Sequence, residues 1–159
     1  MRKLVSFDTL WAADWPSASY FAPYFLDARR RATFFASGHD GGAFSVEGLE
    51  GTTGLTPKTG LVSARLFFFA NEDHGVLLGY SKWDGRQGKK YSYYSKGDLR
   101  KLGEYVWSFE RTRLSVGLFI SFEQGWSGIQ DFMETEGQLP SSIEWIAESD
   151  IPSYAFPPP

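Results

Sequence analysis

Two apolar-rich runs, Ser63–Ala70 and Val76–Trp83, stand on either side of Asn71-Glu72-Asp73-His74-Gly75. A polar linker of that length, closed by glycine, joins strands as a hairpin, so the two runs are expected to pair antiparallel. The same grammar repeats on both sides of the pair. Glycines at 38, 41, 42, 48, 51, 54 and 60 cut the preceding stretch into turns around a strand at Ala43–Glu47, and Asp84-Gly85 turns the chain toward another at Lys90–Ser95. Strands joined in succession by short turns make an antiparallel sheet. The 28 aromatic side chains among 159 residues are too many to remain exposed and imply a core dominated by phenylalanine. A chain of this length removes about 70% of its unfolded surface from water as one domain.

Helical periodicity occurs twice. Over residues 16–32, Tyr20, Phe21, Tyr24, Phe25 and Ala28 fall at helical spacing, Pro23 implies a kink or a later start, and Arg29-Arg30-Arg31 sits where a helix C-terminus favours cations. Thr33–Ser37 then reads as a short strand. Val116–Ile120 is expected to be a strand leading into a helix over 122–136, which Ser121 and Gln124 open as a capping box. In that helix Phe122, Trp126, Ile129, Phe132 and Met133 form an apolar stripe, while Glu123, Ser127, Gln130 and Glu134 face water. Gly137 and Pro140 end it, and a last strand is expected over Ser142–Ile146. The expected architecture is α+β: a mainly antiparallel sheet of about five to seven strands, the 122–136 helix on one face and the N-terminal helix at an edge. Residues 1–150 form one domain, and 151–159, with four prolines, an extended tail.

Charge is distributed unevenly along the chain. Residues 114–159 carry seven carboxylates and no Lys or Arg, residues 58–113 are net +5, and residues 1–57 are net −1. An acidic block of this kind orients cationic partners, and a basic protein is the partner it suits best. Cysteine is absent, which excludes thiol catalysis and cysteine-ligated metal. The apolar run after Met1-Arg2-Lys3 is interrupted by Ser6 and Asp8, so no export signal is read, and the longest apolar stretch, Leu66–Ala70, is far short of a membrane span. A soluble, cytoplasmic protein is expected.

Four patterns raise other chemistry. His39-Asp40 and Glu72-Asp73-His74 pair histidine with carboxylate as a general base or metal site requires, yet both lie in turns where such residues serve the backbone. Lys82–Lys96 interleaves basic and aromatic residues as a single-stranded RNA surface does, but equally as an edge strand with lysines facing out. Gly54–Gly60 lacks the second glycine of a phosphate loop, with Pro57 in its place, and Ser127 in Gly125-Trp126-Ser127-Gly128 sits in a helical pattern rather than at a nucleophile elbow.

The segment from Leu114 through the helix to Trp145 holds a short hydrophobic strand, an amphipathic helix begun by Phe122-Glu123, a Gly137-x-x-Pro140 exit and a closing Ile143-x-Trp145 strand. Over residues 114–147 it resembles bacterial immunity proteins encoded beside polymorphic and contact-dependent toxins. The resemblance implies a cytosolic α+β protein without catalysis or cofactor of its own, which blocks the active site of a cognate toxin, often an enzyme acting on nucleic acid through a basic cleft. Glu123, Gln130, Asp131, Glu134, Glu136, Glu144 and Glu148 are then the expected partner-binding residues, with the glycine-rich stretch 38–60 as the alternative interface.

Overall fold

The computed structural model describes residues 1–159. The α+β class is as expected: three α-helices and a mainly antiparallel sheet. Ten strands form, eight of them in one sheet: β1 (Arg2–Phe7), β2 (Leu10–Ala12), β3 (Gly41–Glu47), β4 (Val62–Asn71), β5 (Gly75–Asp84), β6 (Lys89–Ser95), β9 (Phe119–Ile120) and β10 (Trp145–Ala147). Their order is β10-β6-β5-β4-β3-β1-β2, seven strands side by side as expected, with the two-residue β9 added along β5 as an eighth. β7 (Tyr105–Trp107) and β8 (Arg113–Ser115) make a separate hairpin. The central β4–β5 pair is the predicted hairpin, in register from Val62↔Asp84 to Asn71↔Gly75.

The N-terminal region departs from expectation. The 16–32 helix is two helices, α1 (Ala18–Leu26) and α2 (Ala28–Ala36), broken at Asp27, whose backbone is extended (φ −104, ψ 115) and whose carboxylate accepts the N–H groups of Arg29 and Arg30. The arginine run therefore occupies the first turn of α2, where the helix dipole disfavours cations. Local partners offset this: the Arg30 guanidinium lies 4.0 Å from the Tyr24 ring centroid, and Arg31 donates to the Phe25 carbonyl at 2.6 Å. Thr33–Ser37 is not a strand but the end of α2, and the hydroxyls of Thr33 and Ser37 bond back to the carbonyls of Arg29 and Phe34. Phe34 goes into the core.

All three helices lie on one face of the sheet, so the N-terminal helices are not at an edge. α1 packs against α3 (Phe122–Glu134), with Phe25 and Trp126 stacked at 5.7 Å. Phe7 of β1 is the hub beneath α1 and α2: Phe21, Tyr24, Phe25, Phe34, Phe44 and Phe68 all lie within 6.4 Å of its ring centroid. α3 opens with the predicted Ser121/Gln124 capping box, buries Trp126, Ile129 and Phe132, and leaves Phe122 and Met133 partly covered. Close approach to the sheet requires Gly125 and Gly128, where a Cβ would stand 2.8 Å from Val76 and from Leu78. Gly137 takes the left-handed conformation expected of a helix terminator (φ +107).

The opposite face is covered over only part of its width. Residues 97–120 and the C-terminus fold back over β5, β6 and β9, burying Leu77, Leu102, Leu118, Phe119, Ile151 and Ala155 in a second core. Val116–Leu118 is a 3-10 turn rather than strand, so only Phe119-Ile120 pairs with β5, and the last strand is Trp145–Ala147 rather than Ser142–Ile146. The 151–159 segment is not a free extended tail: Ser153–Ala155 is a 3-10 turn, Ile151 and Ala155 are buried, and Arg113 donates to the Pro158 carbonyl at 2.6 Å. Burial of two apolar side chains and these bonds overrides the extended preference of proline. No helix is long and apolar enough to cross a membrane.

Candidate protein-binding site

On the second face strand register sets side chains in rows that run from the half no segment covers to the edge of the second core. Leu4, Ser45, Arg65, Ser81 and Ser92 lie side by side across β1, β3, β4, β5 and β6. In the next row Trp11, Ser6, Ala43, Phe67, Gly79 and Tyr94 do the same, and in the third Gly41, Phe69 and Leu77. Arg65, Phe67 and Phe69 therefore rise from a floor of serine, alanine and glycine. Phe67 lies flat over Gly79, where a Cβ would meet its ring at 2.1 Å. The result is a groove of about 640 Å³ running along β3 and β4. Trp11, 81% exposed, flanks one side, and Phe109, 52% exposed, stands at the far end.

The two ends of the groove differ in charge. Arg65 forms no ion pair; its guanidinium lies 5.6 Å from the Phe67 centroid. About 17 Å along β4, taking five residues at the usual strand rise, the groove ends at Asp40, Phe109 and Glu110. Asp40 is buried; its carboxylate accepts the Phe109 N–H at 2.8 Å, and its backbone carbonyl accepts the Ala70 N–H. Burial holds its carboxyl above the usual carboxylate range, against the lowering effect of that N–H bond. His39, also in the wall, is committed elsewhere: Nε2 is 3.1 Å from Asp8, and the ring stacks on Phe34.

The predicted acidic residues disperse around the helical face and the sheet edge. Glu123 and Glu134 are exposed on α3, without ion pairs, about 16 Å apart along its axis. Gln130 is half-buried. Asp131 is spent on the fold, its Oδ2 accepting the N–H groups of Ser141 and Ser142 at 2.8 and 3.2 Å. Glu136 pairs with Lys3 at 3.1 Å and so ties the end of α3 to β1. Glu144 is exposed beside β10, and Glu148 follows β10 on the side of the second core, where its charge helps raise the pKa of Tyr94 after burial, the larger cause. The structure thus leaves Glu123, Glu134, Glu144 and Glu148 exposed and unpaired, and does not bring all seven residues into one patch.

The other sequence patterns do not assemble. The turns bearing His39-Asp40 and Glu72-Asp73-His74 lie at the same end of the sheet, but His74 rests against Phe119, Glu72 and Asp73 are exposed, and no group of three or more such residues can hold a metal. In Lys82–Lys96, Lys82 and Arg86 are held by Glu50, and Arg86 also by Asp84. Tyr93 packs toward the helices and Tyr94 toward the second core, so the aromatics alternate between faces and form no stacking platform.

Comparison of the chain with protein-family models, with curated proteins and with solved structures finds no match.

The groove is legible only with the fold in hand. Trp11 lies in a strand with no clear period, and the row that joins it to Phe67 depends on β1 pairing with β3. The one available signal is the run Ser63, Arg65, Phe67, Phe69 on alternate positions of a strand, which marks a second face that is neither fully polar nor fully buried.

Proposed function

We propose that this protein is an immunity protein, which binds a cognate bacterial toxin and neutralises it by covering its active site, with no catalysis of its own. The observation that carries this reading is the set of exposed, unpaired carboxylates, Glu123, Glu134 and Glu144, in a segment without a single Lys or Arg. These carboxylates present negative charge to a cleft that normally receives a nucleic-acid backbone, and their summed field accelerates encounter as well. The resemblance over residues 114–147 supports the same reading. Its elements form one continuous unit: α3, the Gly137 turn, and Trp145, whose indole N–H donates to the Pro140 carbonyl at 2.7 Å.

The reading requires a neighbouring reading frame that encodes a toxin domain, and the test uses that domain. Association is followed by stopped-flow fluorescence at low and moderate salt, for the wild type and for the Glu123→Lys/Glu134→Lys/Glu144→Lys variant. The variant is expected to fold as before, because exposed charges contribute little to stability, and to associate about tenfold or more slowly at low salt. Asp131 is left out because its carboxylate holds the 141–142 turn. Failure of the wild type to bind or inhibit the toxin removes the reading.

A further inference from the structure

We infer that the groove on the uncovered sheet face is the second anchor of this protein on its partner, and that it takes an extended segment with an acidic side chain at one end, apolar side chains in the middle and a basic side chain at the other. The inference rests on the reading of the protein as an inhibitor of another protein, and adds to it a surface on the side of the sheet away from the helices.

Three observations specify the occupant. First, the open half of the face is not the polar face of a solvated antiparallel sheet: Leu4 and Trp11 interrupt the serines, Phe67 and Phe69 line the groove from the edge of the second core, and Trp11 and Phe109 are largely exposed at its borders. Tryptophan and arginine, the residue types that most often anchor interfaces, both line the groove, Trp11 exposed at its border and Arg65 without an ion pair. Second, the charges are polarised along the groove. Arg65 has no carboxylate of its own, and Asp40 and Glu110 stand together at the opposite end with no Lys or Arg paired to either. An acidic group over Arg65 and a basic group near Asp40 and Glu110 complete both ends. Third, the span of about 17 Å between them equals five residues of extended chain, and a narrow groove along β3 and β4 admits chain in that conformation.

The C-terminal end of α3 and the groove border the same sheet edge. Glu136 reaches Lys3 of β1 from the helical side, and Trp11 of β2, the last strand, borders the groove on the other. A partner that clasps this edge meets the Glu134 end of α3 with one lobe and the groove with the other.

The experiment measures affinity for the same toxin domain by titration calorimetry with Trp11→Ala, Arg65→Glu and a Leu26→Ala control, Leu26 being exposed on α1, well away from the groove. Thermal melts verify that each variant folds. The expected result is a loss of about tenfold or more for Trp11→Ala and Arg65→Glu, with the control unchanged. Wild-type affinity for both groove variants, while the α3 charge variant still slows association, overturns the groove and leaves the inhibitor reading standing. If the wild type does not bind the toxin, both fall. A wild-type protein that self-associates in sedimentation, and becomes monomeric on Trp11→Ala, assigns the groove to a second copy of this chain and also overturns the proposal.

Discussion

The hydroxyl of Tyr80, at the centre of β5, donates to the carbonyl of Gly137, in the turn that ends α3, at 2.9 Å. This single bond spans 57 residues of sequence and fixes where the helix stops relative to the sheet. It is also buried, so neither partner has water as an alternative. Replacing Tyr80 by Phe is expected to cost about 1–3 kcal/mol, because the Gly137 carbonyl is left unsatisfied. Burial pushes the phenol up to about 12 from 10.0, so at high pH the unfolded chain gives up its proton before the folded one does. The stability tied to this group is therefore whole below about pH 10 and is lost as pH rises toward 12. Urea unfolding across that range should show the wild type converging on Tyr80→Phe; parallel curves would exclude Tyr80 as the titrating group.

Gly137 itself is predicted to tolerate no side chain. Its φ of +107 is strained for any L-residue, and a Cβ would meet Val46 Cγ1 at 2.5 Å. Gly137→Ala should destabilise by about 1–3 kcal/mol, read as a lower melting temperature. Gly103, where a Cβ would come no closer than 3.9 Å to the flexible Tyr154 ring, should accept Ala with little change.

The hairpin 62–84, the capped helix α3 and its glycine terminator were legible because each rests on local physics: alternation, a capping box, a left-handed cap. The break at Asp27 was not, since a continuous apolar stripe through Tyr24 and Phe25 hid a second N-cap, although the Asp27 cap followed by Ala28 is a helix start. β1 was missed because its pattern, eased by charge at Arg2 and Lys3, gains meaning only when Phe7 enters an aromatic cluster drawn from four other elements. The tail misled for the same reason: Ile151 and Ala155 are held by contacts with residues some 50 positions away. In the site, the helical period alone places Glu123 and Glu134 in water, whereas Asp131, alike in sequence, is occupied by the backbone N–H groups of Ser141 and Ser142.

The Phe7 hub predicts a steep cost for truncation. Phe7 is 1% exposed and surrounded by six rings, three of them edge-on at 4.5, 5.2 and 6.2 Å. Phe7→Ala should lose about 3–5 kcal/mol, and Trp126→Ala a similar amount, because neither site can collapse without moving α1. Chemical denaturation with an unchanged slope would verify that the loss is one of stability. A loss below about 1 kcal/mol for Phe7→Ala would contradict the hub.

Asp40 separates stability from binding. Its carboxyl is held above its ordinary pKa chiefly by burial, so ionising it opposes folding: the stability present at low pH declines as pH rises through the folded-state pKa. Asn at this position keeps an acceptor for the Phe109 N–H and carries no charge. Asp40→Asn is therefore expected to be at least as stable as the wild type at neutral pH, with the difference closing in acid, where the wild-type carboxyl is itself protonated. Binding should move the other way. The groove loses a carboxylate at the end proposed to receive a basic side chain, so affinity for the toxin should fall while the melting temperature holds or rises. Thermal melts and calorimetry on one preparation measure both quantities. A variant that loses stability and affinity together would show that Asp40 only braces the 108–112 turn, and one that loses neither would remove it from the groove's account of binding.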